Sequence, residues 1–464
     1  MDGFEREVLE RLPLAESVLH VLSHVCHEDF LADVFEEHRG RCYEQQLQFS
    51  TLVDLVGDAL INHEGSGRKA FRAGRKDGAL TVSDPAAYGK LRRIPLEVSQ
   101  AFLSMASDRL LELFPDEVTS PLPASLVDWH VLAVDGKKIK NLAKRLKPAQ
   151  GVDGKLLGGK TLVARSLHFG IALTMQAHLD GEANDGPLVP GLLDQLEARF
   201  GQENCLLVMD SQFCDLTTPK RILSKGYHVL TRYHPKVQFH RATGYEVREG
   251  TDSQGRTFYE DIGRLGSPKN KPADRLLVRR ITVVRPDQDD LILITSLTDR
   301  DAFPADDLLK VYSARWTIET MFQHITEVFC LQRLIGSTAQ ASVFQTAFCL
   351  LLFNIIHLLR IHLSVSHDHD PDTISMKNVF DDVRDELTAM RVLIPHSNLL
   401  PPFADALTAR SQRNKLATLL NSVWQDHWLK APKNHRHPPP PRRRIRGGHT
   451  SVFRLIQQHS NNTT

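Results

Sequence analysis

This 464-residue chain has no paired cysteines. Its six cysteines, Cys26, Cys42, Cys205, Cys214, Cys330 and Cys349, are scattered, and no Cys-x-x-Cys spacing occurs. That pattern argues against a disulfide framework or a zinc ribbon and points to reduced thiols in a cytosolic protein. Net charge is lacking too: 57 Lys and Arg against 56 Asp and Glu leave +1. A surface for a polyanion therefore has to come from local segregation of charge. The first ten residues, Met1 to Glu10, are acidic and lack the basic region and apolar core of a signal peptide. There is no unbroken apolar run of membrane length. The longest stretch, Ala347 to Leu363, is interrupted by Asn354, His357 and Arg360 at a spacing of three. This places a polar stripe on one helix face, as in a helix buried in a soluble protein. The expectation is a cytoplasmic protein with no membrane partner. What remains is ordinary globular composition, 41% hydrophobic and 24% charged, with room for about three domains.

Charge is segregated along the chain. Residues 1–60 hold 13 acids against 4 arginines. Residues 61–95 switch sign, with Arg68, Lys69, Arg72, Arg75 and Lys76 lining one face if 67–76 is helical. Helical apolar spacing runs from Leu96 to Phe114, and Pro115, Pro121 and Pro123 mark a boundary. The period then changes. Short apolar runs at 129–134, 162–179, 205–209 and 227–233 alternate with helical spacing at 187–200 and 217–225. This β–β–β–α–β–α–β order predicts an α/β core with a mixed sheet. Residues 235–298 form a β-rich insertion, and a strong helix follows from Ala305 to Phe329. The expected organisation is a helical region at 1–120 and an α/β domain at 125–363. A helical region follows at 364–429, and 430–464 is a basic, Pro-rich tail. From Lys430 to Arg446 the tail carries seven Lys or Arg and no acid, which suits a sequence-independent phosphate clamp.

Asp135 and Asp210 each stand just past a buried apolar run. A carboxylate at the end of a core strand is held rigidly at the sheet edge. With a third, it can bind a Mg²⁺ pair that activates water at phosphorus. Tyr312, Arg315 and Glu319, at i, i+3 and i+7, share one helix face. Arg and Tyr suit phosphate oxygens while Glu completes a metal site. The run Lys137, Lys138, Lys140, Lys144, Arg145 and Lys147, two residues beyond Asp135, lacks an acid and suits a polyanion cleft.

Together these stretches resemble the DDE transposases of bacterial insertion sequences, of the insertion-sequence-four type with its Tyr-x2-Arg-x3-Glu-x6-Lys motif. The likeness rests on VLAVDGKKIK from Val131, CLLVMDSQFCDLTTPKRILSKGYHVLTRYHP from Cys205, and YSARWTIETMFQHITEVFCLQRLIGST from Tyr312. It spans about residues 84–363. The resemblance implies an RNase H-like fold with Asp135, Asp210 and Glu319 as the catalytic and metal-binding triad. It also implies two Mg²⁺ ions (Mn²⁺ as a substitute), transposon-end and target DNA as partners, and a homodimer on DNA in the bacterial cytoplasm, associated with the nucleoid. Tyr312, Arg315, Lys137 and Lys138 become the expected phosphate contacts. One position departs from the motif: Thr326 stands where the family has Lys. Lys137 or Lys138 are the candidates to supply the missing cation.

Two other readings compete. Gly154 to Thr161 matches the P-loop pattern G-x4-G-K-T, which would make the chain an ATPase. A P-loop needs a buried strand before it and a helix after it. Here a polar basic stretch precedes and β-type alternation follows, so a Gly-rich hairpin turn with an expendable Lys160 is expected. Alternatively, the loss of the motif's Lys at Thr326 would suit an inactive DNA-binding relative. The cluster His367-Asp368-His369-Asp370 is expected to be a solvated loop rather than a metal site.

Overall fold

Amphipathic helices open the chain: α1 (Gly3–Glu10), α2 (Pro13–Val25), α3 (Glu28–His38), α4 (Phe49–Ile61), α5 (Gly67–Lys76), α6 (Asp84–Arg93) and α7 (Leu96–Leu111). The computed structural model describes residues 3–43, 46–118, 120–269, 271, 275–286, 288–394, 408–431 and 448–461. Local chemistry sets the helix starts. Pro13 opens α2, and the His27 ring and Ser66 hydroxyl accept backbone N–H groups at the starts of α3 and α5. In α5, Ala70, Phe71 and Gly74 are buried while Arg68, Lys69, Arg72, Arg75 and Lys76 are exposed. Gly74 is required by packing, because a Cβ there would come within 2.8 Å of Leu55 on α4.

The strands follow in the expected order. They are β1 (His130–Lys138), β2 (Lys155–Leu157), β3 (Lys160–Ser166), β4 (Ala172–His178), then α8 (Val189–Phe200), β5 (Cys205–Met209), α9 (Thr217–Ser224) and β6 (His228–Arg232). The insertion supplies β7 (Phe239–Arg241), β8 (Arg248–Thr251), β9 (Thr257–Leu265), β10 (Leu276–Val283) and β11 (Leu291–Thr295). One sheet runs β4-β3-β1-β5-β6-β11-β10-β9-β7, with β8 also paired to β9. β1, β5 and β6 are parallel and β3 and β4 antiparallel, the RNase H-like arrangement. The insertion is not a separate layer: β11 pairs antiparallel with β6 and carries the core sheet onward.

After the sheet come α10 (Ala305–Ala314), α11 (Trp316–Glu327), α12 (Ala339–Ser366), α13 (Met376–Leu393) and α14 (Ala409–Asn421). α12 is long and apolar enough to cross a membrane, yet 94% of its most apolar stretch is buried inside the protein. Asn354 of its polar stripe is satisfied there. Asn354 accepts from Ala172 N–H and donates to the Ala172 carbonyl and Ser107 hydroxyl, tying α12 to β4 and α7. The N-terminal helices and the sheet thus share one hydrophobic core across the proline-rich boundary.

Beyond the basic segment, residues 448–461 of the expected tail are folded. β12 (His449–Ser451) pairs parallel with β2, and α15 (Val452–Asn461) follows, with Arg454 bridging Asp180 and Glu182. Residues 432–446, the bulk of the basic segment, lie outside the described residues. At the polar break, the His369 ring stacks on Trp424 at 4.5 Å. Among the described residues no His, Cys, Asp or Glu group of three or more is placed to hold a metal ion.

His362, buried on α12, donates its Nε2 hydrogen to the Leu113 carbonyl at 2.9 Å. Burial pushes its pKa down to about 4. The unfolded chain, with an ordinary histidine, binds more protons between about pH 4 and 6.5, so stability rises with pH across that window. His362 alone is expected to remove about 2 kcal/mol between pH 7.5 and pH 5. Urea denaturation at the two pH values checks this, and His362→Gln should flatten the difference.

Candidate active site

The parallel pairing of β1 and β5 sets the site. Val134 lies in register with Met209, so Asp135 and Asp210, one residue further on each chain, stand side by side at the carboxyl edge of the sheet. β5 is apolar and buried throughout, so a slip of its register against β1 would draw the Asp210 carboxylate into the apolar core. The Thr231 hydroxyl on β6 donates to the Asp210 carbonyl and fixes the chain where it leaves the sheet. Asp135 accepts from the Gly136 N–H at 2.8 Å. Gly136 has to be glycine, because a Cβ there would lie 2.0 Å from Asp185 Oδ1.

Glu319 arrives from α11. The helix expected over Ala305–Phe329 is two helices, α10 and α11, meeting at Arg315. There the Arg315 N–H bonds to the Tyr312 carbonyl and the Ile318 N–H to the Arg315 carbonyl, a tighter three-residue turn. Tyr312, Arg315 and Glu319 still face the same edge. The buried Arg315 guanidinium donates to Glu319 Oε1 at 3.1 Å and lies 3.9 Å from Asp135 Oδ2. Burial opposes its charge, but Tyr312, Asp210, Asp135 and Glu319 outweigh that and hold its pKa above the ordinary value. The Tyr312 phenol is pushed up by burial despite Arg315 beside it. Burial, with Glu319 and Asp185 adding repulsion, raises the Asp135 pKa to about 6, against the opposing pull of the Gly136 N–H and Arg315.

The structure therefore brings Asp135, Asp210 and Glu319 around one guanidinium rather than around a preformed void, in keeping with the absence of a ready metal group among the described residues. The donor set still fits a hard divalent cation: three carboxylates, one of them half-buried with its pKa raised, with no sulfur or imidazole among them.

Beyond Asp135 the cleft turns basic. A cavity of about 660 Å³ is lined by Lys137, Lys138, Lys140 and Lys155 on one side and Phe322, Thr326 and Glu327 on the other. Lys137 and Thr326 meet here. The Lys137 ammonium donates to the Phe322 carbonyl at 3.2 Å, and the Thr326 hydroxyl donates to the same carbonyl at 2.6 Å. Burial, then Lys140, depresses the Lys137 pKa to about 8. Lys138 is exposed at the end of β1.

Residues not singled out in the sequence complete the picture. Trp316 is 60% exposed, and the Arg315 guanidinium lies 5.3 Å from its ring centre, leaving an aromatic surface open to solvent at the site. An aromatic between the motif's Arg and Glu was the available signal. Asp185, in a loop before α8, had none. It pairs with Lys160 at 2.7 Å, both buried, and Lys160 also donates to the Ala183 carbonyl. This corrects two expectations. Lys160 is a buried, paired side chain rather than a solvated turn residue, and Gly154–Thr161 is not a hairpin, since β2 pairs with β12 while β3 pairs with β1 and β4. Strand β3 starts directly at Lys160, so the P-loop pattern has no helix N-terminus for phosphates.

A family model described as transposase DDE domain matches residues 120–355, just over half the chain. A Synechocystis sp. protein described as a transposase for insertion sequence element IS4SA is 26% identical over 165 residues, covering 34% of this chain and 42% of that protein. The chain thus spans less than half the length of this relative. A cryo-EM structure of a piggyBac transposase synaptic complex with hairpin DNA aligns over 89% of this chain and 88% of that one, at 12% identity and a TM-score of 0.41.

Removing Lys160 would strand the Asp185 carboxylate in a buried place next to Asp135. Lys160→Ala is expected to cost about 3–5 kcal/mol of stability. A denaturant titration of variant and parent measures it; a change below 1 kcal/mol would mean the pair is not buried in solution.

Proposed function

The chain belongs to the transposase DDE domain family, and from that premise we propose that it is a DNA transposase of an insertion sequence, cutting and joining DNA at the terminal inverted repeats. The observation that carries the proposal is the gathering of Asp135, Asp210 and Glu319, from three elements distant in sequence, around Arg315. DDE transposases use divalent metal ions, and here Asp135, Asp210 and Glu319 would hold two Mg²⁺. When bound, these ions would activate water and stabilise the leaving oxygen at phosphorus.

The chain's own groups position the DNA. Arg315 and Tyr312 orient the phosphate to be cut. Asp135 and Glu319 would hold the metal, and Arg315, which bonds Glu319 in its absence, would then turn to the phosphate. Water attacks the phosphodiester in line and frees a 3′-hydroxyl, which in turn attacks a phosphodiester of target DNA. Trp316 offers a face on which an unpaired base can stack. The DNA track is basic. It runs from the exposed cations of α5 and Arg92 and Arg93 of α6, past Arg145 beside Tyr88, to Lys140, Lys138 and Lys137 at the site. A homodimer would hold two transposon ends together.

Thr326 gives the inactive-relative reading its one argument, and Lys137 answers it. Its ammonium lies on the carbonyl that Thr326 also bonds, so the cation lost from the helix is supplied from β1.

Changing Asp135, Asp210 or Glu319 to Ala is expected to lower strand cleavage by at least about 10³-fold while end binding stays within about threefold. Gel assays of cleavage and binding on the same end DNA separate the two, and chelation of divalent metal should reproduce the pattern. Near-parental cleavage by any one of these variants would remove it from the site.

For the exchanged cation, Lys137→Ala should slow cleavage by roughly 10²-fold. Adding Thr326→Lys to it should restore at least a tenth of the parental rate. An unrescued double variant that folds normally would show that Lys137 does not stand in for the motif's lysine.

A further inference from the structure

On the far side of α11 from the carboxylates lies a cavity of about 760 Å³, walled by the β3–β4 turn, α10, α11 and α12. Its floor holds two guanidinium groups. Arg165 is 8% exposed and Arg360 7%. Arg165 donates to the Gly170 carbonyl and the Thr317 hydroxyl, both neutral, and has no carboxylate in ion-pair range among the described residues. Arg360 has one ion-pair partner among them, Asp372 at 3.7 Å, whose carboxylate is 88% exposed. The Arg360 Nε hydrogen is buried with no hydrogen-bond partner among the described residues. His357 beside them donates its Nε2 hydrogen to the Phe169 carbonyl, which leaves its buried Nδ1 an unpartnered acceptor.

Two buried cations with one carboxylate in ion-pair range among the described residues, and that one exposed, are costly unless something returns the lost solvation. A guanidinium pair with a free N–H, next to an imidazole acceptor, matches one kind of ligand: a tetrahedral oxyanion that accepts from arginine and donates one hydroxyl hydrogen. The rim bears Glu117, Asp368, Asp370 and Asp372 against Lys310. An acidic rim repels a polyanion, and the volume suits a small molecule. We propose that this cavity is a binding site for a small phosphate-class anion, inorganic phosphate or a phosphomonoester, held by Arg165 and Arg360. Through the Arg165–Thr317 bond the occupied floor steadies the first turn of α11, two residues from Glu319.

The test is binding to the full chain, so it stands or falls separately from the transposase reading. Inorganic phosphate is titrated by thermal shift and calorimetry, at constant ionic strength against chloride. The expected result is a saturable rise of about 3 °C at high occupancy, with a one-to-one isotherm in the millimolar range. Arg360→Gln should abolish both. Because that variant removes a buried group, Asp372→Asn is the second arm. Its side chain is solvent-facing, and losing the competing carboxylate should tighten phosphate at least threefold. A flat titration of the parent chain, or phosphate affinity unchanged in Asp372→Asn, overturns the proposal. A duplex of arbitrary sequence is the last arm. Displacement of phosphate by duplex would assign the floor to a DNA backbone phosphate and overturn the small-anion assignment; no displacement supports it.

Discussion

Arg315 carries the arrangement of the candidate site. Three carboxylates from β1, the end of β5 and α11 lie close enough to act on its charge. Without a cation among them the mutual repulsion of Asp135 and Glu319, at a partly buried edge, would work against the docking of α11 onto the sheet. A buried guanidinium solves this statically, and its own burial is repaid by the same carboxylates. The solution is also exchangeable. The Arg315–Glu319 contact is a single hydrogen bond at 3.1 Å to a side chain 39% exposed. A divalent ion arriving from solvent therefore competes with one exposed contact rather than with a closed network.

A net charge near zero conceals local charge. Glu16 of α2 pairs with Lys415 and Asp58 of α4 with Arg391, and Glu386 of α13 accepts the Leu14 and Ala15 N–H groups at the start of α2, while Glu7, Glu10, Glu28, Asp29, Asp33, Glu36 and Glu37 of α1 and α3 face solvent. Exposed cations cluster on α5, α6 and the loop after β1. Charge segregated in sequence becomes charge segregated in space, which the total of +1 conceals.

Much of this was legible in the residues. Aspartates after apolar runs, the period change after Pro123 and the facing of Tyr312, Arg315 and Glu319 toward one edge rest on local pattern and appear in the structure, although β1 runs on past Asp135 to Lys138 and the three residues span two helices. What was hidden depends on pairing over long distances. The Gly-rich stretch before Lys160 looks like a hairpin locally. Its actual partner, β12, lies nearly 300 residues away, beyond a run of basic and proline residues that masks the signal. Asp185 could not be found because its importance comes wholly from the absence of a side chain at Gly136 and the presence of Lys160. The turn at Arg315 was likewise invisible. Both flanking segments are good helix, and only packing decides that they meet through a tighter turn.

The proposal that Lys137 stands in for the motif's lysine at Thr326 rests on their meeting at one carbonyl. A lysine seven residues beyond Glu319 would project from the last turn of α11 toward β1. Lys137 projects from β1 toward the same turn, and its ammonium ends on the Phe322 carbonyl. The electrostatic position is common to both routes, and the strand route brings an advantage: burial against the Phe322 ring, 5.2 Å away, limits the conformations the ammonium can take. The cost is a lowered pKa near 8, which still leaves the amine mostly charged at neutral pH. A threonine on the helix then suffices, because its hydroxyl needs only to cap the carbonyl that the lysine shares.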